Sequence, residues 1–161
     1  MSILFSGSEV ITMAIEIEKN GLAFYNALAA KTDNAQSKEL FTFLAGEEVR
    51  HKVTFQKMLD NLKKAELSAS EEEEYNNYLK ALTSSRVFNP NADVDAMLKE
   101  AGDEAGAVDM AIQAEKDSIL FYYELLDQAV EEDQEAIDNV IREEKVHLAK
   151  LINLRNSLSV S

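Results

Sequence analysis

Glu47-Glu48-Val49-Arg50-His51 and Glu143-Glu144-Lys145-Val146-His147 are the two stretches on which the fold turns. Each contains Glu-x-x-His. On a helix, residues three apart share a face about one turn apart, so a carboxylate and an imidazole placed this way can grip one metal ion. The chain has only two histidines, and each follows a Glu by three positions. Roughly one residue in eight is Glu, so chance gives that double match roughly one time in sixty.

Working outward, the apolar positions fall at helical steps. Ile11, Ile15, Glu18, Leu22, Tyr25 and Ala29 make the seam of a first helix, capped by Ser8 and running to about Lys31. Thr32-Asp33-Asn34 reads as a short turn. A second helix, about Ala35 to Leu62, carries the seam Leu40, Leu44, Glu48, His51, Phe55, Met58 and Leu62. A third, about Glu104 to Val130, carries Val108, Ile112, Glu115, Ile119, Tyr122 and Leu126. Glu131-Glu132-Asp133 reads as the next turn. A fourth helix, about Gln134 to Leu158, points Ile137, Ile141, Glu144, His147 or Leu148, and Leu151 inward, with a frayed tail from Ser157.

Short turns make antiparallel neighbours, while the connection from about Lys63 to Asp103 is long enough to cross from one bundle end to the other. Within it, Tyr75, Tyr78, Leu79 and Leu82 suggest a short amphipathic helix. Ser84-Ser85 and Asn89-Pro90-Asn91 break it. Asp93 caps a second short helix, about Val94 to Ala101, which Gly102 ends. The acid run Glu71 to Glu74 reads as a solvated helix start. The expected architecture is all-α: one domain over residues 1–161, built as a four-helix bundle of two hairpins joined by a long crossover.

The two hairpins repeat. Ala14-Ile15-Glu16-Ile17-Glu18-Lys19 pairs with Ala111-Ile112-Gln113-Ala114-Glu115-Lys116, and Phe24-Tyr25 with Phe121-Tyr122. Any two bundle helices share apolar positions, but that does not explain an acid repeating inside each seam. Burying one unpartnered ionised carboxylate costs several kcal/mol. Here Glu18, Glu48, Glu115 and Glu144 would all be buried, with no Lys or Arg in the seams at these levels. Two divalent cations would balance four carboxylates. Bundles that hold two iron or manganese ions use one Glu from each of two helices and Glu-x-x-His from each of the others. The candidate ligands are therefore Glu18, Glu48, His51, Glu115, Glu144 and His147. Glu48 and Glu144 are expected to bridge, with Glu18 and His51 on one metal and Glu115 and His147 on the other. Iron or manganese suits the set, and ligand softness leaves zinc open.

Tyr25 and Tyr122 lie two turns from Glu18 and Glu115. Each reads either as a phenol beside the metals, hydrogen-bonded or redox-active, or as a core aromatic with its hydroxyl satisfied. Glu47 and Glu143 are expected to rotate off the seams to the surface.

Composition narrows the function. A formal net charge of −14 repels phosphate backbones and anionic lipid and favours cations, although it also serves solubility alone. No membrane span and no basic-flanked leader is expected, since Ile3-Leu4-Phe5 is too short. Absence of cysteine removes disulfides, thiolate sites and a four-cysteine iron site, and fits a cytoplasmic location.

Glu18 with Tyr25, Glu48-x-x-His51, Glu115 with Tyr122, and Glu144-x-x-His147 together resemble the rubrerythrin branch of the ferritin-like superfamily. The resemblance covers roughly Ser8 to Leu62 and Glu104 to Leu158. It implies a ferritin-like bundle with a di-iron centre that reacts with hydrogen peroxide or oxygen, or oxidises Fe(II). Two departures stand out. Rubrerythrins carry a further ligand Glu one turn after the third-helix Glu, where this chain has Ser118, which puts the typical metal shift in doubt. They also carry a rubredoxin domain, so a peroxidase cycle here needs an external electron donor. The expectation is an oxidoreductase of peroxidase or ferroxidase type. The alternatives are an iron-binding or storage protein without turnover, and a structural bundle whose seam acids are hydrated. A homodimer is expected, with exchange of hairpins through the long connection left open.

Overall fold

In a computed structural model of the chain, residues 7–65, 81 and 93–160 are described. They contain α1 (Gly7–Lys31), α2 (Ala35–Ala65), α3 (Val94–Ala101), α4 (Glu104–Gln128) and α5 (Glu131–Val160). The four long helices form two antiparallel hairpins, α1 with α2 and α4 with α5, which pack against each other chiefly through α1 on α4 and α2 on α5. The architecture is the expected all-α bundle of two helix hairpins, and most of the expected long crossover lies outside the described residues. The acid run at Glu71 to Glu74, the amphipathic stretch around Tyr75 to Leu82, and the breaks at Ser84-Ser85 and Asn89-Pro90-Asn91 lie outside the described residues, Ala81 excepted.

Local chemistry sets most helix ends. Asn34 Oδ1 accepts from Ser37 N at 3.1 Å and starts α2. Asp93 caps α3 by accepting from Ala96 N at 3.1 Å, and Gly102, with φ of 81°, ends it in the region glycine enters without strain. Asp103 caps α4 through Gly106 N at 2.8 Å. Glu104 ties this end to the α1–α2 turn, accepting from Thr32 Oγ1 and, at 3.0 Å, from Ser37 Oγ.

Five expected boundaries shift, two of them because α2 runs on to Ala65 and α4 stops at Gln128. Ser8 lies inside α1 rather than capping it, and its carbonyl accepts from Thr12 Oγ1 at 2.7 Å. Glu131-Glu132-Asp133 is the first turn of α5, because the N-terminal dipole of a helix stabilises acids there and Ala129-Val130 suffice for the turn. The helix also persists past Ser157 to Val160. Ser157 and Ser159 each donate to a carbonyl a turn back, and Arg155 Nη1 donates to Ser159 Oγ at 2.6 Å.

The core is wider than one seam per helix, since each bundle helix faces two neighbours. Beside Ile11, Ile15 and Tyr25, α1 also buries Val10, Ala14, Ile17, Phe24 and Leu28. On α4 the deepest positions are Val108, Ala111, Phe121 and Tyr122, while Ile112, Ile119 and Leu126 are only half-buried. Phe41 is deeper than Leu40 for the same reason. Each large side chain buried this way contributes about 1.5–3 kcal/mol. Such a core is needed to offset the polar layer it encloses.

Candidate metal centre

That layer lies where Glu18 (α1), Glu48 and His51 (α2), Glu115 (α4), and Glu144 and His147 (α5) meet. All six are buried, and Glu48, the most accessible, is 5% exposed. Their candidate ligand atoms form two groups, each within 4.8 Å: Glu18, His51 and Glu144 in one, and Glu48, Glu115, Glu144 and His147 in the other. Every residue expected from sequence is thus brought together. Glu144, expected to bridge, belongs to both groups. Glu48, expected to do likewise, belongs to the second group alone, although its carboxylate stands beside Glu18.

The electrostatics are those of crowded, buried acids. Burial, followed by the neighbouring Glu18 and Glu144, raises the Glu48 carboxyl well above its usual range. Burial and Glu144 do the same to Glu115. For His51, burial disfavours the charged ring, but Glu144 and Glu18 outweigh it and hold its pKa up at about 11. Glu144 is buried too, yet Glu115, His147 and His51 hold its pKa below the usual carboxylate range.

Two buried polar atoms are left without a hydrogen bond, Glu18 Oε2 and His51 Nδ1. They lie 3.5 Å apart, and Nδ1 is 3.0 Å from Glu144 Oε1, off the direction of a hydrogen bond to either. Buried groups are ordinarily satisfied, so two orphans facing one another in a carboxylate–imidazole cluster fit a role as ligand atoms for a cation. The oxygen-rich donor set with two imidazoles is also what iron or manganese takes.

The tyrosines connect across the hairpins. Tyr25 Oη on α1 donates to Glu115 Oε1 at 2.5 Å, and Tyr122 Oη on α4 donates to Glu18 Oε1. Both phenols are fully buried, and burial together with the facing carboxylates raises their pKa values well above 10. They remain neutral donors throughout the physiological range. Ser118, also buried, donates its hydroxyl to Ala114 O at 3.0 Å on its own helix.

Glu47 and Glu143 are not the simple surface acids that their offset from the seams suggests. Glu47 is 9% exposed. Glu143 Oε2 is 2.7 Å from His51 Nε2, and Glu47 Oε2 is 3.6 Å from His147 Nε2. Arg50 reaches both acids, Glu47 by a close contact and Glu143 at 3.1 Å. The doubled Glu-Glu in each motif was the available signal. Helix α1 supplies a second feature that sequence reading passed over. A Cβ on Gly21 would stand 2.7 Å from Glu48 Oε2, so this glycine makes room for the carboxylate.

The sequence matches the family described as Rubrerythrin over residues 9–155. The fold is similar to that of a crystal structure from Thermotoga maritima described as a ferritin-like diiron-carboxylate protein. The TM-score is 0.74 at 30% identity, covering 97% of this chain and 98% of that one. No curated protein sequence gives a significant match. Among the described residues, no helix is long and apolar enough to cross a membrane.

Proposed function

The chain belongs to the rubrerythrin family, and on that premise we propose that it is a di-iron oxidoreductase that turns over hydrogen peroxide or oxygen. One observation carries the reading. Four buried carboxylates and two imidazoles converge from four helices, and two of their atoms, Glu18 Oε2 and His51 Nδ1, have no hydrogen-bond partner.

Glu18, His51 and Glu144 would hold one iron, and Glu48, Glu115, Glu144 and His147 the other. Two Fe(II) ions held there would supply the two electrons that, with two protons, reduce hydrogen peroxide to two waters. The side chains do the rest. Four carboxylates match the charge of two divalent ions, so the loaded layer no longer carries uncompensated buried charge. Tyr25 and Tyr122 hold Glu115 and Glu18 in place from the opposite hairpin, and each keeps a proton at Oη beside the centre. The apolar shell around the layer, including Phe24, Phe55 and Phe121, keeps bulk water out.

Manganese or zinc in place of iron fits the same donors less selectively, and metal content decides among them. Electrons for a cycle would come from a separate donor, and a cytoplasmic location suits that chemistry. Pairing into a homodimer is part of the same reading.

The experiment is anaerobic reconstitution with Fe(II) followed by one equivalent of peroxide. Rapid Fe(III) absorption and peroxide consumption are expected, both lost in His51→Ala. Iron that binds but leaves peroxide untouched would support storage instead. The net charge of −14 favours that reading by drawing cations, and a many-subunit cage would accompany it.

A further inference from the structure

The repeat that pairs Glu48 with Glu144 and His51 with His147 also fixes which residues are equivalent outside each imidazole. It pairs Leu40 with Ala136, Phe43 with Asn139 and Lys150 with Thr54. In every pair the His147 side has the larger side chain. On the His51 side, a cleft of about 410 Å³ between α2 and α5 is lined by Val53, Thr54, Asn139 and Val140, and by His51 itself. On the His147 side, the equivalent cleft, also of about 410 Å³, is lined by Leu40, Phe43, Lys150 and Leu154, but not by His147. Both rings are 1% exposed, so the difference lies in what stands outside them.

At His147 that residue is Phe43. Its ring meets the imidazole edge to face, with centroids 6.0 Å apart and planes at 89°. Lys150 Nζ lies 5.3 Å from the centroid of the Phe43 ring, close enough for the ring's quadrupole to attract the cation and hold the pair in place. At the equivalent place on the other side, Asn139 is short, and Thr54 turns its hydroxyl to Arg50 O on its own helix at 3.2 Å. The cleft between them runs in as far as the imidazole.

Such a cleft suits small uncharged solutes. About 10–15 Å³ of space suffices for one water, so several molecules of that size fit. Thr54 and Asn139 offer hydrogen bonds beside the apolar Val53 and Val140. The charges in the lining, Arg50 and Glu143, are paired at 3.1 Å, so the walls carry no net charge to hold an ion. Behind the same imidazole lie Glu18 Oε2 and His51 Nδ1, the buried atoms without a hydrogen bond, in the group Glu18, His51 and Glu144. One ring therefore separates the cleft from that group.

We propose that small uncharged oxidants, of the size of hydrogen peroxide or dioxygen, reach the centre through the cleft on the His51 side, and that Phe43, held by Lys150, closes the equivalent route at His147. The inference rests on the proposed reaction of the centre with such oxidants. The two metal positions are then unequal in access although the motifs that build them repeat, and the position held by Glu18, His51 and Glu144 meets the oxidant first.

The test uses the full chain as wild type, Phe43→Asn and Asn139→Phe, which exchange the two residues between the sides. Both positions are exposed, and circular dichroism melts report folding separately. Dissolved oxygen, paramagnetic and uncharged, is the probe. Relaxation of the His51 and His147 ring protons in nuclear magnetic resonance spectra of the metal-free chain reports its access to each ring. In wild type, oxygen should relax His51 severalfold more than His147. Phe43→Asn should raise the effect at His147 to that at His51, and Asn139→Phe should lower the effect at His51 to that at His147. In a second arm, the Fe(II)-loaded chain is mixed with nitric oxide, which is uncharged and similar in size to dioxygen. Binding should be severalfold slower in Asn139→Phe and no slower than wild type in Phe43→Asn. Equal relaxation of the two rings in wild type would overturn the proposal. So would Asn139→Phe with unchanged relaxation and unchanged nitric oxide rates. A wild-type chain that shows the oxygen asymmetry but takes no Fe(II) would instead overturn the metal reading beneath it.

Discussion

Replacing Gly21 with alanine separates the needs of the metal from the needs of the fold. The added Cβ would stand 2.7 Å from Glu48 Oε2 and 3.1 Å from Glu48 Cδ. The carboxylate must give up roughly 0.7 Å to reach ordinary contact. In the metal-free chain the nearest atom, Oε2, is the far end of a flexible side chain, so a shift of that end is expected to absorb the clash at small cost. Meanwhile, alanine in a helix interior gains up to about 1 kcal/mol over glycine. For a chain of this size that raises the melting temperature by about 2–4 °C. Ligand distances at a metal tolerate only about 0.2 Å of error, so the same displacement should weaken binding at the second group by tenfold or more. The assay pairs circular dichroism melts of metal-free protein with anaerobic Fe(II) or Co(II) titration. Gly21→Ala should melt at or above the wild-type temperature and bind one metal normally and the other poorly. Unchanged binding of both metals would refute the role given to Glu48. A drop of several degrees in the metal-free melt would mean that Gly21 serves packing instead.

Removing the phenol hydroxyls tests the links across the hairpins. Tyr25→Phe and Tyr122→Phe each lose a hydrogen bond to a carboxylate, at a cost of about 1.5–3 kcal/mol in whichever state keeps that acid ionised. Slower peroxide consumption at unchanged metal content is expected, and wild-type rates in the double variant would leave both tyrosines as core aromatics. The pH dependence should reverse on metal loading. Burial and nearby acids raise the folded-state pKa values of Glu48 and Glu115, so the metal-free folded chain keeps protons that the unfolded chain releases above about 4.5. Despite burial, Glu144 and Glu18 raise His51 to about 11, so its stabilising charge is complete below about 6.5 and lost as pH rises toward 11. Metal-free stability should therefore fall from mildly acidic to alkaline pH. Loaded protein should lose metal, and stability, as pH falls, because its ligands must be deprotonated. Melting temperatures measured with and without Fe(II) at about pH 5, 7 and 9 check the sign, and parallel trends would count against it.

Much of the site was legible because polar residues interrupted seams that were otherwise apolar. Glu18, Glu48, Glu115 and Glu144 stood at helical spacing among Ile, Leu and Phe, and burial of an acid demands a cause. The caps at Asp93 and Gly102 were equally readable, since each rests on the backbone chemistry of one or two residues. What depended on distance across the bundle was not. Periodicity places Tyr25 on the face of Glu18, but its hydroxyl reaches Glu115 on another helix, and Tyr122 reaches back to Glu18. Glu47 and Glu143 looked like surface acids because a single-helix wheel ignores the neighbouring hairpin, from which each meets an imidazole. Gly21 gave no periodic signal at all, since its role is the absence of a side chain. Glu131 to Asp133 resembled a turn because acids suit both loops and first helical turns, and only the length needed for the connection distinguishes them.

The most direct measurement is metal content per folded chain after anaerobic titration with Fe(II), on protein purified without tags or added zinc. Two irons per chain are expected in wild type, with a higher melting temperature when loaded and a clear loss of stoichiometry in His51→Ala. A wild-type chain that binds no metal, melts identically with and without Fe(II), and is indifferent to His51→Ala would mean that the buried carboxylates serve no cation.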